Sequence, residues 1–190
     1  MLQSSRKYLT ENHQKLLQFN TLAESFSRDL LGEVDLITII ARAKQNQKKK
    51  ETLGQFLTPA SVAGLMAGMF EKFDYPQISL LDAGAGSGSL LAAFVANLCH
   101  QQQHPINLDI VAYEIDPFLI KYLRKTLKLC ARKCQLAGIS FNYEIRERDF
   151  IEDAVTIVND NSIFTHAILN PPYLKIKANS KARTLLRSLG

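Results

Sequence analysis

Asn170-Pro171-Pro172-Tyr173 is the group of residues in this chain with the most specific chemistry. Its two prolines fix φ and remove two N–H donors, so the Asn170 amide oxygen and the neighbouring backbone carbonyls become rigidly aimed acceptors. Acceptors on both hydrogens of a planar NH2 group favour the geometry in which the nitrogen lone pair leaves the ring and attacks an electrophile. Tyr173 can stack on the aromatic ring bearing that amine. A second group, Asp82-Ala-Gly84-Ala-Gly86-Ser-Gly88, uses glycines to bring backbone close to a ligand. Its spacing is G-x-G-x-G, and a dinucleotide fingerprint would need Gly or Ala where Ser89 stands. Asp82 would repel a pyrophosphate and suits an ammonium group. In Tyr113-Glu114-Ile115-Asp116, Glu114 can accept both hydroxyls of a ribose, and Ile115 would lie flat against an adenine. Asp116, directly before Pro117, reads better as a helix cap. Asp149-Phe150 offers an acceptor for an exocyclic amine with a ring beside it, or else a loop aspartate over a core phenylalanine.

Each group falls where a strand should end. Buried or β-rich runs cover 78–83, 107–115, part of 141–150 and 164–169, and helical spacing covers 60–73, 89–99 and 117–136. Thr58 is expected to cap the helix that starts at Pro59, and Gly138 to stop the third of these helices. Strands alternating with helices predict a parallel α/β sheet covered on both faces, with all four groups at its carboxyl ends. Residues 1 to about 47 read as helical and form an N-terminal segment without a chemical motif. It closes on a run containing Lys44, Lys48, Lys49 and Lys50, either a solvated linker or a phosphate-contacting loop. The expected division is therefore 1–50, helical segment and basic linker, and 51–190, the α/β domain.

Composition excludes several classes. With 190 residues, 46% of them hydrophobic and 22% charged, the chain suits one globular domain and not a disordered tract. No apolar run is long enough to span a membrane and the first residues lack a secretory signal, so a cytoplasmic location is expected. Three cysteines do not make a disulfide framework there. Cys130 and Cys134 lie one helical turn apart, but no neighbouring His or Cys completes a metal site, and together with Cys99 they read as core. His100 and His104 have no partner suggesting acid–base work.

Taken together, the glycine turn, the intervening acid and NPPY resemble the class I S-adenosylmethionine-dependent methyltransferases that modify an amine. Gly54-Gln55-Phe56-Leu57-Thr58-Pro59, ahead of the glycine strand, resembles the N-terminal cofactor motif of adenine-specific DNA methyltransferases of restriction-modification systems. Cofactor motifs before NPPY match the γ order. The resemblance covers about residues 50–190. It implies a Rossmann-like methyltransferase fold, S-adenosyl-L-methionine as cofactor, and transfer of its methyl group to the N6 amine of an adenine flipped out of double-stranded DNA. It also implies roles: Gln55, Phe56, Thr58 and Pro59 on the methionine moiety; Asp82, Gly84 and Gly86 around its amino and carboxylate ends. Glu114 would take the ribose, Ile115 and Phe150 the surroundings of the cofactor adenine, and Asp149 its amine. Asn170, Pro171, Pro172 and Tyr173 would hold the target.

Residues 161–190 contain no acid but Lys175, Lys177, Lys181, Arg183 and Arg187, as expected of a phosphate-tracking tail, with Lys175, Lys177, Lys181 and Arg183 the DNA-contact candidates. The basic residues of the 117–136 helix read instead as a solvated face. Members of the resembled group continue with further strands and a target-recognition region. The expectation is therefore a C-terminally incomplete domain, weakly active or inactive alone, with a restriction subunit or fused nuclease outside it. Two other readings share the motifs: a protein-glutamine or ribosomal-RNA methyltransferase, and a non-catalytic fragment that only binds cofactor or DNA.

Overall fold

In the structure, a computed structural model, residues 30–45, 56–71, 73, 75–101, 105–157, 164–171 and 181–188 are described. Gln55, Pro172, Tyr173, Lys175 and Lys177, the run 46–50 and the expected helices before residue 30 lie outside them.

Alternation of apolar runs with amphipathic stretches yields four parallel strands and their connecting helices. β1 (Gln77–Asp82), β2 (Asn107–Tyr113), β3 (Ser140–Arg146) and β4 (His166–Ala167) form one sheet in the order β3-β2-β1-β4. Four further helices join α1, over 30–44, and α2, Ala60–Ala67: α3 (Ser89–His100), α4 (Pro117–Leu136), α5 (Phe150–Ile157) and α6 (Lys181–Ser188). This is the Rossmann-like arrangement that the alternation predicts. Ile78 and Leu80 of β1 and Leu108 and Ile110 of β2 are buried, as central parallel strands must be. α3 is apolar almost all round and lies within the core, whereas α4 buries Leu119, Leu123, Leu127, Cys130 and Cys134 on one face and exposes Lys121, Arg124, Lys125, Lys128 and Arg132 on the other. No helix of the described residues is long and apolar enough to cross a membrane.

α1 shares this core through Leu30 and Val34. Other departures from the sequence reading are local. Helix α2 ends at Ala67, with Gly68 as its cap, so Phe70 and Phe73 leave the helix and pack as rings against Phe94. Thr58 does not cap it. Pro59 occupies the cap position without a side-chain bond, and the Ala60 N–H is directed at Asp35 Oδ1 of α1, 3.4 Å away. The fourth strand is two residues long. Helix α5, which the periodicity did not single out, occupies Phe150–Ile157 and is capped by Asp149, whose Oδ1 accepts from the Ile151 N–H at 2.9 Å.

Candidate functional site

The carboxyl ends of β1, β2 and β4 converge on one cleft. Its walls are the strap Phe56-Leu57-Thr58, the glycine turn from Gly84 to Ser87, the start of α3, and Asn170 just beyond β4. The turn is tight for identifiable reasons. Gly86 and Gly88 have φ of +57° and +90°, a region that side chains other than glycine enter at a cost. A Cβ on Gly86 would meet Leu57 Cδ2 at 3.0 Å, and one on Gly88 would meet Thr126 Cγ2 at 2.8 Å. The glycines thus admit the strap on one side and α4 on the other.

Most of the turn's amides are spent inside the protein. Gly84 N–H donates to Asp82 Oδ1 (3.1 Å), Ala85 N–H to Tyr113 O (2.8 Å), Gly86 N–H to Glu114 Oε2 (2.8 Å) and Gly88 N–H to Ala85 O (2.8 Å). A phosphate cradle needs such N–H groups aimed at its ligand, so this turn is not one. That agrees with a ligand whose charged end is not a pyrophosphate.

Glu114 is buried and serves the fold as well as the cleft. Its Oε2 holds Gly86 and its Oε1 accepts from Asp116 N–H at 2.8 Å, so the carboxylate braces the turn against the end of β2. Burial raises its pKa, and the backbone N–H groups of Asp116, Gly86 and Ile115 oppose that rise. Asp116 Oδ1 accepts from Phe118 N–H at 3.0 Å, the cap expected of it. Asp82 is fully buried. Among the described residues its Oδ2 has no hydrogen-bond partner, and burial pushes its pKa up to about 7. An unpartnered buried carboxyl oxygen at the end of β1 is where a cationic ligand group would compensate the lost solvation.

Asn170 reaches across the cleft. Its Nδ2 donates to the Thr58 hydroxyl at 3.2 Å, a contact between residues 112 apart in sequence. Phe56 and Ile115 are open to solvent, at 60% and 45%, as apolar surfaces for packing a ligand would be. Pro171 is exposed and Pro59 precedes α2. Asp149 and Phe150 follow β3 at the start of α5. Asp149 is exposed and caps α5, and the Phe150 ring packs edge-on against Tyr113 with centroids 5.1 Å apart. The Tyr113 hydroxyl receives from Arg146 at 2.6 Å and donates to Asp153 at 3.2 Å, locking β2, β3 and α5 together. Lys181 opens α6, and Arg183 lies half-buried on it. Among the described residues no cluster of His, Cys, Asp and Glu could hold a metal ion.

Motif reading missed one supporting layer. Thr38, mid-helix in α1 and fully buried, places its hydroxyl 2.9 Å from Ser87 Oγ, 2.8 Å from Ser89 Oγ and 2.9 Å from its own helix carbonyl at Val34. From the other side, the Thr126 hydroxyl donates to Ser87 O at 2.7 Å. Val34, Asp35, Thr38, Ala41 and Arg42 recur at helical intervals, a signal that could have marked this face.

A parallel α/β sheet with a glycine turn after its first strand, an acid after its second and the sequence Asn-Pro-Pro-Tyr after its fourth defines a Rossmann-like methyltransferase domain. The comparisons with known proteins name the kind. The N-6 DNA Methylase family model matches residues 26–185, and the chain belongs to that family. It is 43% identical over 151 residues to the type II methyltransferase M.BsuBI of Bacillus subtilis, an alignment covering 75% of this chain and 29% of that protein. To the type II methyltransferase M.PstI of Providencia stuartii it is 37% identical over 160 residues, covering 83% of this chain and 31% of that protein. The chain thus spans about three-tenths of the length of these relatives. The family's description falls on the DNA side of the alternatives that the shared motifs left open, and the family implies a methyl donor.

Proposed function

We propose that this chain carries the cofactor-binding and catalytic residues of a restriction-modification methyltransferase that methylates the N6 amine of adenine in double-stranded DNA. The observation that carries the reading is the shared cleft, in which Asn170 faces the glycine turn across the strap. The methyl donor of this reading is S-adenosylmethionine, which when bound supplies an electrophilic sulfonium methyl group. The residues present fit it. The unpartnered Asp82 Oδ2 suits the ammonium of its methionine moiety, and Phe56 and Ile115 offer exposed apolar surface to its rings. Glu114, whose carboxylate braces the glycine turn against the end of β2, takes the ribose.

The chain's own part in the reaction is orientation. The Asn170 amide oxygen and an adjoining backbone carbonyl accept from the two hydrogens of the target amine, which directs the nitrogen lone pair at the methyl group. The adenine must leave the duplex to reach such a cleft, at a cost of a few kcal/mol that stacking on Tyr173 offsets in part. Lys175, Lys177, Lys181 and Arg183 follow the phosphates, so binding weakens steeply with salt.

The test is transfer of labelled methyl from S-adenosylmethionine to unmethylated duplex DNA, followed by digestion to nucleosides. Label in N6-methyladenine is expected. Label only in protein or ribosomal RNA would overturn the DNA reading. Asn170→Ala should reduce transfer at least about a hundredfold while leaving cofactor affinity within about twofold, since an acceptor aimed at the reacting group acts on kcat. A comparable loss of cofactor affinity would show that Asn170 is not a target residue.

A further inference from the structure

We infer that Thr58 is a positioning residue for Asn170, and that α1, through Arg42 and Asp35, holds Thr58 in place; the inference rests on the reading of Asn170 as the group that orients the target amine. Resemblance assigned Thr58 to the methionine moiety and helix spacing assigned it to a cap. The cap is not formed. The Thr58 side chain is buried, and its hydroxyl accepts the Asn170 Nδ2–H at 3.2 Å.

An asparagine aimed at a target amine needs such a partner. Its amide turns about a broad torsion, so packing alone fixes its plane poorly, and an NH2 group turned to the target would present donors to a donor. A hydrogen bond from Nδ2 to a fixed acceptor sets both the plane and the end of the amide that faces elsewhere. The acceptor must itself be immobile. Thr58 belongs to an irregular strap with no strand or helix to hold it, and three contacts supply the anchorage. Arg42 Nη2 donates to Leu57 O at 2.8 Å, Asp35 Oδ1 faces the Ala60 N–H at 3.4 Å, and the Leu57 side chain rests where a Cβ on Gly86 would stand. Two of these come from one face of α1, a helix in which no motif drew attention. The chain of support runs from α1 to the strap, from the strap to Thr58, and from Thr58 to the Asn170 amide.

Three variants of the full chain test this: Thr58→Val, which keeps the shape and removes the hydroxyl; Thr58→Ser, which keeps the hydroxyl; and Arg42→Gln at an exposed site that tolerates change. Thr58→Val should lower kcat for methyl transfer to duplex DNA about tenfold or more, with the cofactor KM within about twofold. Thr58→Ser should restore most of the rate. Arg42→Gln should lower kcat in the same direction by less, and it carries the test if Thr58→Val does not fold. In parallel, the Asn170 side-chain NH2 resonances should shift and broaden in Thr58→Val and stay in place in Thr58→Ser. The inference falls if Thr58→Val leaves kcat unchanged while Asn170→Ala abolishes transfer, if its loss lies wholly in cofactor KM, or if Thr58→Ser is as damaging. Should Asn170→Ala retain full activity, the catalytic reading of Asn170 fails by itself. The NH2 resonances then decide the positioning: unchanged signals in Thr58→Val overturn it, displaced ones support it.

Discussion

Along its β2 edge, β1 pairs in register from Gln77 opposite Asn107 to Asp82 opposite Ala112, whereas along its β4 edge it pairs only at Leu80 with His166 and Leu81 with Ala167. The first flank carries the glycine turn and its carboxylates, braced by backbone bonds and by the buried hydroxyls of Thr38, Ser87, Ser89 and Thr126. The second carries Asn170 and is attached by this shorter ladder together with side chains. Thr165 Oγ1 accepts from Ser79 N–H and donates to Ser79 O, and the His166 ring sits among those of Phe70, Phe73, Tyr75 and Phe94. Backbone bonds run from Thr165 N–H to Ser79 O at 2.9 Å and from Ile168 N–H to Leu81 O at 3.0 Å. A ladder buried on both faces resists local opening, while a flank with a shorter ladder opens at lower free energy. The proposed division of labour follows that difference: the cofactor side is preformed, and the target side has the freedom to accommodate a base that arrives by flipping.

The largest effect should come from the preformed side. Gly88→Ala places a methyl at φ +90° and within 3.1 Å of Thr126 Cβ, on a side chain that is itself bound to Ser87 O. Backbone strain and overpacking together should cost about 2 to 5 kcal/mol. Thermal or urea unfolding would measure it. A change below about 1 kcal/mol would mean that the turn can yield, and the contrast between the flanks would be lost.

Next in size is Thr38→Val. The methyl fills the space but leaves the Ser87 and Ser89 hydroxyls short of a buried partner, at a cost of about 1 to 3 kcal/mol. Thr38→Ser should recover most of it. A neutral Thr38→Val in denaturant melts would show that these hydroxyls satisfy each other without α1.

These two sites differ sharply in how readable they were. Gly88 stood in a motif, with strand before and helix after, because local geometry alone demands it. The strands, α3, α4 with its Asp116 cap and its stop at Gly138, and the meeting of the glycine turn with Asn170 all follow from periodicity and punctuation in the same way. Thr38, Arg42, Asp35 and the Thr58–Asn170 bond depend on contacts between residues far apart in sequence, which no local pattern encodes. Asp149 shows a different limit. Its Oδ1 caps a helix whose existence turns on whether the eight residues of α5 pack, which α5's own spacing did not announce. Helix α2 ended early for a tertiary reason, since Phe70 and Phe73 gain more from the ring cluster around His166 than from continuing the helix.

A smaller effect, in the proposed reaction, belongs to Asp82. With its pKa near 7, the buried carboxyl is neutral in the fold at pH values where an unfolded chain would ionise it. Its raised pKa favours the fold below the ordinary carboxylate range, and that contribution is lost as pH rises through about 7. An ammonium group bound at Oδ2 reverses the preference by favouring the carboxylate. Cofactor affinity should therefore climb with pH, by up to about tenfold per unit below pH 7, and level off above it. It should fall again as the cofactor's α-amine loses its proton near pH 8. Calorimetry in two buffers of different ionisation enthalpy should detect proton release below pH 7, and Asp82→Asn should abolish it. A flat affinity between pH 5.5 and 7.5 would remove the ammonium from Asp82.

The smallest effect probes the loosely attached flank. Burial lowers the pKa of His166 below its ordinary value, and among the described residues the groups that face its ring are the four aromatic side chains together with Thr165 Oγ1, 2.9 Å from Nδ1. The packed ring therefore favours its neutral form more than a free imidazole does. As pH falls below about 6.5 the unfolded or locally opened chain takes up a proton more readily than the packed one, so the attachment of β4 weakens toward acid. Because β4 has so few ladder bonds, the loss should appear as local opening before it appears in global stability. Hydrogen exchange resolves the two. After correction for intrinsic rates, the Ile168 amide should lose protection between pH 7 and pH 5.5 while the amides of the β1–β2 ladder keep theirs. His166→Phe, which keeps a ring and removes the titration, should make Ile168 protection independent of pH. Equal loss of protection on both flanks would show that β4 opens only with the whole sheet, and the two sides of β1 would then have to be treated as one rigid unit.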